Sequence, residues 1–132
     1  MRDDPAAPPP RPPRVTGPAH LLAATRYSLA GLRRLWRETA FRHELGAALV
    51  AGPAYLWMGA GAVEMGLFGG LLCLLVAVEA LNTAIEEIVD RLSPEVSEMA
   101  RNAKDLGSLA VMAVLVAQGG LAVWVIWGAV AG

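Results

Sequence analysis

Three long stretches of the chain carry no charged residue: positions 45–63, 65–78 and 106–132, which run for 19, 14 and 27 residues. At a rise of about 1.5 Å per residue the first and last each cross a hydrocarbon core about 30 Å thick, and the middle one does so if it continues through Ile85. The pattern predicts transmembrane helices over about 42–58, 64–91 and 105–129. Ahead of them Leu22, Thr25, Leu29, Leu32 and Trp36 recur at three and four positions, flanked by Arg26, Arg33, Arg34 and Arg37. That spacing predicts a basic amphipathic helix over about 20–37, lying among lipid headgroups. The fold class that follows is all-α and integral to a membrane, three transmembrane helices preceded by an amphipathic interfacial helix.

One interruption of the apolar pattern stands out. Within 78–91, Glu79, Asn82, Glu86 and Asp90 fall at i, i+3, i+7 and i+11 and share one helix face, while Ala80, Leu81, Ile85 and Ile88 point elsewhere. Glu79 lies 14 residues after Met65, about 21 Å along the helix axis, which sets it near the inner edge of the hydrocarbon. Glu86 and Asp90 follow about 10 and 17 Å further on, in water. A carboxylate at acyl-chain depth is costly and therefore marks a functional group. Glu87 lies off this stripe and is expected to be solvated.

Punctuation divides the rest. Residues 1–18 hold seven of the nine prolines and are expected to form a disordered cytoplasmic tail, leaving 19–132 as one membrane domain. The junction 38–44 holds Glu38, Arg42, His43 and Glu44, with Glu38 and Arg42 spaced to pair. Gly52 and Pro53 can bend the first span, residues 59–61 return the chain, and Ser93 with Pro94 is expected to cap a short helix through Glu98. Gly31 interrupts the surface helix for no reason the sequence supplies.

Composition sharpens this picture. Apolar residues make up 55% of the chain and its mean hydropathy is +0.46, high for a soluble protein of 132 residues. The net charge of −1 hides an asymmetry: all eleven Lys and Arg residues precede Leu45 or fall within 91–104. By the positive-inside rule the N-terminus and the 91–104 loop are cytoplasmic. No apolar stretch precedes the first span, which is therefore expected to direct insertion itself. The single cysteine, Cys73, is expected to pack as a small hydrophobe.

Chemistry concentrates at the cytoplasmic ends. Glu38, Arg42, His43 and Glu44 come from the first junction, Glu79, Asn82, Glu86 and Asp90 from the second span, and Glu95, Lys104 and Asp105 from the following loop and the third span. Carboxylates beside a lysine suit a divalent cation carrying a phosphate ester. A desolvated carboxylate such as Glu79 is placed to take a proton from a hydroxyl arriving sideways from the membrane. No Gly-x-x-x-x-Gly-Lys-Ser/Thr loop or protein-kinase signature is present. On these residues alone a proton-conducting or ion-coupled subunit, or a non-catalytic assembly protein, remains open.

The same residues resemble the prokaryotic diacylglycerol kinase family of small three-helix membrane kinases. The match rests on Tyr27 and Ser28 with Gly31, Leu32 and Arg33, on Glu38, Phe41, Arg42 and Glu44, on the run from Glu79 to Glu86 with Asp90 and Arg91, and on Ala103 to Ser108. It covers the chain from about Leu21 onward. The resemblance implies transfer of the ATP γ-phosphate to diacylglycerol, giving phosphatidic acid, in a homotrimer of the bacterial inner membrane with sites shared between neighbouring chains. It implies Glu79 as general base, with Asn82 and Lys104 completing the catalytic set and Glu38 and Glu86 holding Mg²⁺. Tyr27, Glu38, Glu86, Glu95, Lys104 and Asp105 would contact ATP. Arg33, Trp36, Phe41, Arg42, Glu44, Glu79 and Ser108 would border the lipid. The partners implied are ATP, diacylglycerol, membrane lipid and further copies of the chain, with no nucleic acid.

The sequence departs from the family pattern in places. His20 stands where some members carry an arginine reaching the nucleotide, the junction between Trp36 and Glu38 is one residue shorter than in some members, and His43 stands where glutamine is common. A related branch phosphorylates undecaprenol, but the run from Asp105 to Val111 resembles the diacylglycerol branch more closely.

Overall fold

Residues 17–93 and 97–131 are described by a computed structural model of the chain. Among these residues four helices follow one another: α1 over Pro18–Leu35, α2 over Thr39–Trp57, α3 over Ala62–Leu92 and α4 over Glu98–Ala131. The Pro-rich segment 1–16, Glu95 and the Pro94 start of the expected short helix lie outside the described residues.

Each boundary has a local cause. Gly17 takes a positive φ of 73° and Pro18 opens α1, where a missing N–H leaves no helical bond unmade. The Glu38 N–H donates to the Leu35 carbonyl at 2.9 Å, and Glu38, in extended backbone, becomes the N-cap residue of α2. This three-residue turn fixes where the Glu38 carboxylate begins. At the other end of α2, Ala60 N–H donates to Tyr55 O at 2.9 Å and Gly59 N–H to Leu56 O at 3.1 Å. The pair is a Schellman closure, and it needs the positive φ of 85° that Gly59 supplies. Glu64 accepts the Gly61 N–H at 3.0 Å and so closes the first turn of α3.

The helix beyond the loop begins otherwise than the sequence suggested. Ser97 accepts the Ala100 N–H at 3.1 Å, and α4 runs unbroken from Glu98. Glu98 therefore belongs to the long last helix, which starts seven residues before the expected boundary at 105. The two serines on either side of residues 94–96, Ser93 and Ser97, hydrogen-bond to each other at 3.1 Å.

Helix α3 packs chiefly on α4 and more lightly on α2 and α1. Toward the Gly59 turn, Tyr55, Leu121 and Val125 form one buried cluster, with Phe68 set edge-on to Tyr55 at 5.4 Å. Gly52 makes room for that ring, since a Cβ there would stand 3.2 Å from Phe68 Cε1. Midway, Leu75, Val111 and Val114 form a second cluster. Outside these seams the helices are greasy and uncovered: Leu49, Leu74, Leu81, Leu109, Val116 and Trp127 are all exposed, and so is Cys73.

Helices α3 and α4 are long and apolar enough to cross a membrane, with mean hydropathies of 1.9 and 2.3 over their most apolar windows. Their 31 and 34 residues extend about 46 and 51 Å, well beyond a hydrocarbon core of about 30 Å. The excess falls at the end of α3 and the start of α4. There the apolar seams give way to the acidic stripe.

Candidate functional site

A cavity of about 340 Å³ opens where α2 begins, between α3 and α4. Its polar lining is Glu38 and Glu44 from α2 and its cap, Glu79, Asn82, Thr83 and Glu86 from α3, and Ser108 from α4. Val111, Met112 and Leu115 make its greasy wall. The arrangement follows from periodicity: Glu79, Thr83 and Glu86 recur at four and three on one face, and Leu75 on the same face anchors it in the core one turn earlier.

Glu79 is the most enclosed of the four carboxylates, with 5% of its surface exposed. It lies within hydrogen-bonding reach of the Glu44 carboxyl and in the field of Glu86 and Glu38. The second oxygen of Glu44 is buried without a partner. Four acidic side chains around one hollow, with no lysine or arginine in its lining, make a site built to receive positive charge or a proton.

The expected residues divide into those that meet at this cavity and those that do not. Glu38, Glu44, Glu79, Asn82, Glu86 and Ser108 line it together. Tyr27 and Arg33 are exposed on α1, Trp36 is exposed in the turn just after it, and Asp105 is exposed on α4. Lys104 forms an ion pair with Asp90 on the outer part of the same stripe. Phe41 is buried in packing at 2% exposure, and it does not line the cavity. Glu95 lies outside the described residues.

Three contacts differ from the sequence expectation. Glu38 pairs with Arg34 rather than with Arg42, which donates to Thr39 Oγ1 at 3.2 Å. Glu87 is not simply solvated: the same Arg34 donates to it from Nε and so ties α1 to α3. The two carboxylates hold the Arg34 guanidinium above its usual range. The third difference is Thr83, buried at the cavity wall and not anticipated because a threonine one position from an acidic stripe carries no charge signal.

The profile of the family described as prokaryotic diacylglycerol kinase matches residues 26–126. This chain belongs to that family. It is similar to a diacylglycerol kinase of a Sinorhizobium species, at 52% identity over 86% of this chain and 82% of the relative. It is also similar to one from Haemophilus influenzae, at 37% identity over 89% and 96%, and to one from Escherichia coli K12, at 41% over 77% and 84%. The matched segment takes in the cavity, the Arg34 tie and the Asp90–Lys104 pair, and leaves out the Pro-rich start.

Proposed function

We propose that the acidic cavity is the phosphoryl-transfer site of a membrane diacylglycerol kinase, with Glu79 as its general base. The chain is a lipid kinase of its family, and it phosphorylates diacylglycerol with ATP as donor. The observation that carries the site assignment is the enclosed Glu79 carboxylate in a hollow whose opposite wall is apolar. A diacylglycerol can lay its chains along Met112 and Leu115 and bring its free hydroxyl to that carboxylate. Glu79 takes the hydroxyl proton, the freed oxygen attacks the γ-phosphorus of ATP, and the bond to the β-phosphate oxygen breaks. The products are phosphatidic acid and ADP, with the proton left on Glu79.

The residues present fit Mg²⁺. It is a hard cation that takes oxygen ligands and is commonly held by one or two carboxylates plus substrate phosphates. Among the described residues no group of three or more His, Cys, Asp or Glu side chains makes an all-protein cage, and Glu38 and Glu86 face one cavity as a pair. These two would hold the ion, which supplies charge neutralisation on the nucleotide phosphates when bound. Asn82 donates to Glu86 Oε1 at 3.2 Å and so orients that carboxylate.

The remaining assignments form one picture. Helix α2 is the third span, its 19 residues reaching about 28 Å, and α1 lies on the cytoplasmic face of the inner membrane. The clustering of the described Lys and Arg residues at the cavity end of the molecule supports that orientation. Tyr27, Lys104 and Asp105 lie off their own chain's cavity, which supports a homotrimer in which a neighbouring chain completes each nucleotide site. Arg33, Trp36 and Arg42 stand at headgroup level beside the lipid entrance.

The deciding experiment measures phosphate transfer from ATP to diacylglycerol, and separately to undecaprenol, by protein in lipid-containing micelles, alongside Glu79→Gln. Mg²⁺-dependent transfer to diacylglycerol that vanishes in the folded variant supports the site. A fully active Glu79→Gln protein removes Glu79 as base. Faster transfer to undecaprenol moves the substrate to the other branch and keeps the site.

A further inference from the structure

We infer that Gly107 is a positioning residue for the transfer reaction: its missing side chain sets the orientation of the Asn82 amide, and through it the Glu86 carboxylate. The inference rests on the site proposed above and adds a residue that touches neither substrate.

Gly107 is buried on α4, one residue before Ser108 of the cavity wall. A Cβ built on it would stand 2.3 Å from Asn82 Oδ1 and 3.3 Å from Asn82 Cγ, but an ordinary 3.7 Å from Asn82 Cα. Backbone spacing between α3 and α4 therefore tolerates a methyl group at this point, and only the Asn82 side chain would have to move. Among the described glycines no other places a Cβ closer than 3.2 Å to any atom. The contact is a specific fit between two residues rather than a general closeness of the two helices.

Asn82 has two ends and two different neighbours. Its Nδ2–H donates to Glu86 Oε1, and an ionised carboxylate accepts only, so the amide nitrogen must face Glu86. Its Oδ1 is then turned toward Gly107 and is buried with no N–H or O–H partner. Beyond it lies an apolar groove walled by Val78, Ile85 and Ala110, which offers no donor either. The Cα–H bond that a side chain would replace points at this oxygen, and a weak Cα–H donor is all it meets. A buried carbonyl oxygen without a partner is unfavourable. It persists here because the other end of the amide is held on Glu86 and Gly107 leaves the room. A methyl group at 107 would drive the amide out toward the cavity and take the donor from Glu86.

The test compares wild type with Gly107→Ala, Asn82→Ala and the double variant in lipid-containing micelles. It reads kcat, KM for diacylglycerol, the free Mg²⁺ giving half-maximal rate, the thermal midpoint, and the Asn82 side-chain amide resonances of nucleotide-free, isotope-labelled protein. Losing the hydrogen bond that orients a metal-holding carboxylate commonly costs about 10–100-fold, so Gly107→Ala is expected to lower kcat on the order of tenfold and to raise the Mg²⁺ requirement. KM for diacylglycerol should stay unchanged, and the Asn82 amide resonances should move. The thermal midpoint should not fall, because alanine is the better helix former. Asn82→Ala removes the atoms a methyl group would strike, so adding Gly107→Ala to it should change kcat by no more than about twofold.

Equal losses from Gly107→Ala in both backgrounds, or a variant as active as wild type with unmoved amide resonances, overturn the inference while the site stands. If Asn82→Ala itself keeps full activity, Asn82 has no part in the site, and both the site assignment for that residue and the inference fall together.

Discussion

Glu79 owes its position to a packing that offers it no cation. Leu75 precedes it in the core, Thr83 follows it at the wall, and its charged neighbours in the cavity are all other carboxylates. Replacing it with glutamine removes one carboxyl from a group of four and keeps the volume. Transfer to diacylglycerol is expected to fall by about 10²–10⁴, the range of a lost general base, while the thermal midpoint in micelles holds or rises because repulsion is relieved. A midpoint that drops sharply would mean that the carboxylate anchors the fold instead. Much of this site could be read residue by residue: Glu79, Asn82 and Glu86 are brought together by helical periodicity alone. Thr83 could not, because an uncharged side chain beside an acidic stripe leaves no mark against an apolar background. Nor could the partner of Glu38, since Arg34 and Arg42 stand equally far from it along the chain and only the turn over residues 36–38 decides between them.

Two short connections govern how the helices meet. Gly59 closes α2 with a positive φ, and any residue with a Cβ placed there adopts a left-handed backbone that costs about 1–2 kcal/mol. Gly59→Ala should lower stability by about that amount in chemical or thermal unfolding and leave the rate per folded molecule unchanged, since the cavity lies at the opposite end of the bundle. The second connection is the tie from Arg34 to Glu38 and Glu87, which fastens α1 to the end of α3. Arg34→Gln is expected to speed amide exchange in α1 and spare α4. In the wild-type protein the same protection should weaken as salt is raised, because the tie is partly exposed to solvent. If α1 exchange is indifferent to both, the helix is held by the lipid surface and not by this pair. The helices themselves were legible in the apolar runs, with small shifts at most ends. The exception is α4, which begins at Glu98 because Ser97 caps it. A polar segment without hydrophobic periodicity gives no sign of belonging to a membrane-crossing helix that continues below it.

At the scale of the molecule, the chain holds Glu38, Glu44, Glu79 and Glu86 on one cavity and its Lys104, Tyr27 and Asp105 elsewhere. A trimer with shared sites predicts complementation. Glu79→Gln chains and Lys104→Ala chains, each inactive alone, should recover part of the activity when co-assembled, because some interfaces then pair an intact cavity with an intact lysine. Co-assembled chains with no recovery would place the whole site within one protomer. Chelation of divalent cations should stop transfer reversibly, with the rate returning on Mg²⁺ addition. Hydropathy and a period of 3.6 residues suffice for the helical class, for helices long and apolar enough to cross a membrane, and for the face on which the acidic residues of α3 gather. Which carboxylates share a hollow, which arginine holds Glu38 and which glycine lies against Asn82 came from packing. Those are contacts between residues far apart in the chain, and they depend on how α1, α2 and α4 close around α3, a spacing that no local pattern encodes.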